Sequence, residues 1–191
     1  MKSHSTVQTF KHPQLGEVTL RRLQPSDREA FTRYLAGLSA QTRRWWGPHG
    51  CDSQAAAEVM ATLGADRIIR MVAVLPDGEI AAYFLLYIGA RASDAQRYAA
   101  LGLPLDDATD CALAPSVADA CQNMGLGPRM MQYAIETARR CFRRRIVLWD
   151  GVQALNARAI RFYTRSGFRK VGSFQTDVEN HDMILDLEEA G

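Results

Sequence analysis

The run Gln122-Asn123-Met124-Gly125-Leu126-Gly127-Pro128-Arg129 constrains this chain more than any other, because it opens an apolar-periodic helix and is stripped of side chains at its start. Glycines remove the Cβ atoms that would keep a ligand off the backbone, and Pro128 suits a first helical position, where its missing N–H would have no partner anyway. The free N–H groups of that first turn and the positive end of the helix dipole then converge on one spot, which suits a phosphate. The spacing excludes two common phosphate loops. A Walker loop needs Lys-Ser or Lys-Thr after its glycines, and a dinucleotide fingerprint needs a third glycine where Met130 stands.

A second segment is as informative. Ile146-Val147-Leu148-Trp149 reads as a buried strand, and Asn156 to Phe168 reads as a helix with both ends marked. Asn156 is a helix N-cap residue, Gly167 stands where a left-handed C-terminal residue is wanted, and Phe168 can supply the accompanying apolar contact. Ala159, Ile160, Phe162 and Tyr163 fall on one face, with Arg158, Arg161 and Arg165 on the other.

Gln122-x-x-Gly125-x-Gly127 resembles the Q/R-x-x-G-x-G/A pyrophosphate loop of the GNAT superfamily of acyl-CoA N-acyltransferases. Asn156-x-x-Ala159-Ile160-x-x-Tyr163-x-x-x-Gly167-Phe168 resembles that family's second signature, N-x-x-A-I-x-x-Y-x-x-x-G-F, at each of those positions. The two motifs occur in the family's order, and the resemblance is strong over Ala112 to Phe174.

The remaining elements agree with it. Val7 to Phe10 and Glu17 to Leu23 are strand-like; Pro25-Ser26-Asp27 caps a helix through Phe31, Tyr34, Leu35 and Leu38; a further helix is expected from Ser53 to Leu63. Ile68 to Leu75 and Ile80 to Ile88 flank Pro76-Asp77-Gly78-Glu79, a hairpin signal. Residues 89–107 form an insertion with a short helical pattern from Asp94 to Leu101. A strand Asp110–Ala114, a loop from Pro115 to Gln122 longer than the family's, and a last strand Met183–Leu187 complete the order. The expectation is one α/β domain over residues 1–191 with the GNAT fold. Its mixed, mostly antiparallel sheet has about six or seven strands and helices on both faces. The resemblance implies a sheet splayed between its fourth and fifth strands, here Asp110–Ala114 and Ile146–Trp149, with the pantetheine arm of CoA adding to main-chain groups of Ala112, Leu113 and Ala114.

The same resemblance assigns Gln122, Asn123, Met124, Gly125, Leu126, Gly127, Pro128 and Arg129 to the cofactor's pyrophosphate, and Asn156, Ala159, Phe162 and Tyr163 to the cofactor on the last helix. It implies a direct attack by an amine on acetyl-CoA in a ternary complex. Backbone N–H groups near Leu113 would meet the oxyanion. Tyr163 would serve the leaving sulfur. A phenol near pKa 10 and a thiol near 8.5 put full proton transfer uphill by roughly 2 kcal/mol, so donation of a hydrogen bond is the expected role. For the general base the sequence offers Asp110 first, then Asp150 and His49, with a water chain as a further route. Trp45, Trp46 and His49 lie where the family builds its acceptor pocket, although ordinary packing beneath a loop is the first reading of the segment.

Composition narrows the rest. With 47% hydrophobic and 23% charged residues the chain is globular, and it has no apolar run near the roughly 18 residues of a membrane span. The N-terminal Met-Lys-Ser-His-Ser-Thr lacks a signal-peptide core, and Cys51, Cys111, Cys121 and Cys141 have neither metal-ligand nor disulfide spacing, which favours a cytoplasmic protein without a metal. A net charge of +2 argues for neither nucleic acid nor membrane. Arg139, Arg140, Arg143, Arg144 and Arg145 read as a solvated helix end before they read as an RNA or acidic-partner patch. The expected partner is a small-molecule or protein amine, with a homodimer left open. The alternative is a CoA-binding sensor or regulatory domain without turnover.

Overall fold

The computed structural model describes residues 7–187. Its elements in order are β1 (Gln8–His12), β2 (Gly16–Arg22), α1 (Arg28–Gly37), α2 (Ala40–Trp45), α3 (Ser53–Ala61), β3 (Ile68–Val74), β4 (Ile80–Ile88), α4 (Ala92–Ala100), β5 (Asp110–Val117), α5 (Leu126–Arg140), β6 (Arg145–Leu148), β7 (Val152–Gln153), α6 (Ala157–Arg165), β8 (Arg169–Gln175) and β9 (Glu179–Asp186). The chain divides into two compact units. One holds the described residues up to Leu85 together with Pro115–Tyr133; the other holds Leu86–Ala114 and the described residues from Ala134 onward.

The first unit is built on an antiparallel meander. β1 pairs β2 from Gln8↔Leu20 to His12↔Gly16, and β2 pairs β3 from Thr19↔Val74 to Arg22↔Met71. The turn from β3 to β4 is the expected hairpin: Gly78 has φ 87°, its N–H donates to Leu75 O at 2.9 Å, and the Asp77 carboxylate accepts from Glu79 N at 3.0 Å. α1 turns Phe31, Tyr34 and Leu35 inward, as its 3–4 spacing requires. The Phe31 ring meets Tyr83 of β4 edge-on at 4.8 Å, and the Tyr34 hydroxyl donates to Ser116 Oγ at 2.8 Å. Burying each such side chain contributes about 1.5–3 kcal/mol.

The second unit is mixed. β5 and β6 run parallel from Asp110↔Arg145 to Leu113↔Leu148. β6, β7 and β8 each pair antiparallel with β9. Tyr98 of α4, Ala112, Val147 and Ile184 form one buried cluster, and the Tyr98 hydroxyl donates to Met183 O at 2.8 Å. The inserted helix is therefore part of this unit's core.

The mostly antiparallel mixed sheet matches the sequence reading, with nine strands among the described residues rather than six or seven. β8 was hidden because Arg169, Lys170 and Gln175 are exposed and a bulge between Lys170 and Gly172 breaks its period-2 pattern. α2 escaped because none of its residues is buried. β5 runs on to Val117, so the stretch read as a lengthened loop from Pro115 to Gln122 begins as strand and goes on as the 3-10 turn Asp119–Cys121. β9 likewise begins at Glu179, earlier than Met183.

Candidate active site

In the first unit, β5 leads through a single turn of 3-10 helix, Asp119–Cys121, into the loop before α5. Asn123 at φ 62° and Gly125 at φ 84° both stand in the left-handed region, which the short Asn side chain and glycine tolerate. A Cβ built on Gly125 would meet nothing within 4 Å, so it is backbone conformation, not crowding, that asks for glycine there. α5 begins at Leu126, and Pro128 is consequently its third residue rather than its first. The N–H groups of Leu126 and Gly127 belong to the first turn and have no carbonyl four residues back within the helix.

Polar side chains tie this loop down. Gln122 Nε2 donates to Val117 O at 3.1 Å and to Thr42 Oγ1 at 3.4 Å. Asp119 accepts from Ser39 N at 2.9 Å, from Ser39 Oγ at 2.7 Å and from Thr42 Oγ1 at 2.7 Å. Burial works to raise the Asp119 carboxyl, but these donors outweigh it and hold it below the usual carboxylate range. Arg129 lies over the Phe10 ring at 5.4 Å.

Trp45 is half-buried on α2, with the Arg44 guanidinium 5.8 Å from its ring centre. Trp46 turns to a different cluster: its ring lies 5.2 Å from His49 and 5.8 Å from Tyr83, and His49 lies 5.8 Å from Tyr83. His49 Nδ1 is 2.7 Å from Gly50 O, so that nitrogen carries the proton and Nε2 keeps its lone pair. Nε2 is buried without a hydrogen-bond partner, as are Trp46 Nε1 and the Tyr83 hydroxyl. Burial depresses the His49 pKa, the Gly50 hydrogen bond opposes the fall, and the Arg70 charge adds to it.

In the second unit, Asn156 caps α6 as its sequence indicates, accepting from Ala159 N at 3.1 Å. Gly167 closes the helix at φ 94°, and Phe168 N donates to Tyr163 O at 3.0 Å. Tyr163 is the buried residue of α6, 5.4 Å from the Phe162 ring and 5.7 Å from Phe168. Burial pushes its phenol well above the ordinary value. Ala159 and Phe162 are half-buried beside it.

Asp110 is fully buried and committed. Arg145 Nε donates to Oδ1 at 2.8 Å, Arg145 Nη2 to Oδ2 at 2.5 Å, and Asp106 N to Oδ2 at 2.6 Å. Asp150, at φ 52°, receives Arg91 at 3.0 Å and Ser93 Oγ at 3.1 Å. Arg91 and Arg97 bind the buried Asp94, and Arg97 also reaches Asp182 through Nε at 3.1 Å. Within the arginine run, Arg143 donates to Cys141 O and Asp107 O, and Arg145 to Pro104 O in addition to Asp110. These two hold loops rather than present a charged face, while Arg139, Arg140 and Arg144 are exposed.

Of the main-chain groups expected to meet pantetheine, Ala112 and Leu113 lie inside the stretch paired with β6, and Leu113 O already accepts from Trp149 N at 2.9 Å. Ala114 lies past the last pair. A strand's N–H and C=O groups alternate between its two edges, so Val117 N–H leaves β5 on the same edge as Leu113 O.

Among the described residues no group of three or more His, Cys, Asp or Glu could hold a metal, and no helix is long and apolar enough to cross a membrane. All four cysteines are free.

Comparison with known proteins supplies the family. The model of the Acetyltransferase (GNAT) family matches residues 39–168. No curated protein matches the chain. Among solved structures, the GNAT domain of S. lividans PAT superposes with a TM-score of 0.74 at 17% identity, covering 95% of this chain and 97% of that one. Aminoglycoside acetyltransferase AAC(6')-Ib, in complex with coenzyme A and kanamycin, gives 0.66 at 20% identity over 88% and 94%. The Salmonella typhimurium protein yncA with its cofactor acetyl-CoA gives 0.63 at 20% over 91% and 96%.

Proposed function

The chain belongs to the Acetyltransferase (GNAT) family, and from that premise we propose that it transfers an acetyl group from acetyl-CoA to an amine by direct attack. The observation that carries the proposal is the loop before α5, where left-handed Asn123 and Gly125 lead into a helix start whose first N–H groups have no carbonyl partner within the helix. In this reading the N–H groups from Asn123 to Gly127 hold the pyrophosphate, with Gln122 fixing the loop to β5 and Pro128 and Arg129 bordering it. Asn156, Ala159 and Phe162 flank the cofactor on α6. The four free cysteines accord with a reducing, cytoplasmic setting.

The chemistry divides among three groups. The amine lone pair attacks the thioester carbonyl, the new C–N bond forms, and the C–S bond breaks. In this reading the oxyanion is met by a backbone N–H of β5 where the strand runs on past its pairing with β6, Val117 N–H standing on that edge. The Tyr163 hydroxyl donates a hydrogen bond to the departing thiolate. The proton lost by the amine goes to His49 Nε2, since Asp110 is held by Arg145 and its role becomes structural. Trp45 and Trp46 flank the acceptor, whose binding must uncover Nε2.

A base with this environment fixes a pH profile. His49 acts only when neutral, and its pKa is depressed from the ordinary value near 6.5. Activity should therefore be lost on acidification through an apparent pKa below that value, and not near neutrality. His49→Gln should lower kcat by roughly 10²-fold and abolish that acid limb. An acid limb unchanged in His49→Gln would take the base role away from this residue.

A further inference from the structure

We propose that His12 is a positioning residue that sets the orientation of the pyrophosphate loop; the inference rests on the assignment of that loop to CoA. His12 ends β1, and nothing in the local sequence ties it to residues more than a hundred positions away. Its Nδ1 accepts from Gln14 N and Leu15 N, each at 3.2 Å, so the ring's proton is on Nε2. Nε2–H donates to Met124 O at 2.7 Å.

Met124 stands between the two left-handed residues Asn123 and Gly125, and the peptide linking Met124 to Gly125 is bounded on its far side by the left-handed glycine. In a trans peptide the C=O and N–H point in opposite directions. Holding Met124 O toward His12 therefore turns Gly125 N–H the other way, out of β1's reach and free for an anion. Without His12 this plane can rotate, because glycine at position 125 accepts either orientation and a Cβ there would meet nothing. Phe10 adds a second brace from the same strand, lying under Arg129 at 5.4 Å.

The test uses two variants of the full chain. His12→Asn keeps an acceptor for Gln14 N and Leu15 N but is too short to reach Met124 O; His12→Gln restores a donor at the Nε2 position. Calorimetry should show His12→Asn weakening acetyl-CoA about tenfold, equivalent to about 1.4 kcal/mol, and His12→Gln recovering most of that loss. S-acetylpantetheine, which has the acyl arm but no pyrophosphate, should bind both variants as it binds the wild type. Unchanged acetyl-CoA affinity in His12→Asn, or an equal loss for both variants, would overturn the inference. If the wild type bound no acetyl-CoA, the cofactor assignment would fail instead.

Discussion

Replacing Tyr163 with phenylalanine is expected to lower kcat and kcat/KM together by roughly 10²-fold, the lower end for a positioned proton donor, while leaving fold and acetyl-CoA affinity unchanged. The ring that packs between Phe162 and Phe168 is retained, so the core of α6 loses only a hydroxyl. Burial holds that hydroxyl in its protonated form far into the alkaline range. It also makes full transfer of its proton to a thiolate more costly than the reference values imply, so the catalytic effect lies in a hydrogen bond that strengthens as charge builds on sulfur. Wild-type kcat for Tyr163→Phe, measured where chemistry limits the rate, would make Tyr163 a packing residue.

The second large effect is on stability. Arg97→Leu should cost about 3–5 kcal/mol near pH 7, because it strips the counter-ion from Asp182 and leaves Asp94 to Arg91 alone, with both carboxylates buried. In a chain of this size that lowers Tm by roughly 10 °C. Burial raises the folded-state pKa of both aspartates, against the opposing pull of Arg91 and Arg97 on Asp94 and of Arg97 on Asp182. Removing Arg97 raises both further. A carboxyl whose folded pKa exceeds its unfolded value of 3.8 binds its proton more tightly when folded, so stability rises as pH falls through the raised value. The deficit of Arg97→Leu should accordingly be greatest at neutral pH and shrink on acidification. Urea unfolding across pH measures this directly; a loss under about 1 kcal/mol, or one independent of pH, would mean that the network is not sustained by its charges.

What could be read from the sequence was what depends on neighbours along the chain. Asn156 as a cap, Gly167 as a left-handed stop, the Asp77-Gly78 hairpin and the left-handed Gly125 each act within a few residues, and each stands where local chemistry puts it. Contacts set by tertiary packing were not legible. His12 gives no local sign of its bond to Met124, and the exposed edge of β8 has no alternation to betray it. Asp110 looked available as a base because an aspartate beginning a strand carries no mark of the arginine that will hold it; Arg145 comes alongside only through the parallel pairing of β5 and β6. Pro115 disguised the end of β5, since proline reads as a strand stop, yet its missing N–H is harmless on an edge where pairing has ceased.

Release of free CoA thiol from acetyl-CoA, followed against a panel of amines at saturating cofactor, tests acyl transfer most directly. Acceptor-dependent thiol release with matching acetylated amine is the expected result, and it should fall with Tyr163→Phe. Acetyl-CoA that stabilises the fold, by about 2.7 kcal/mol at a hundred times its dissociation constant, yet releases no thiol with any amine would contradict the transfer reading and leave a cofactor-binding domain without turnover.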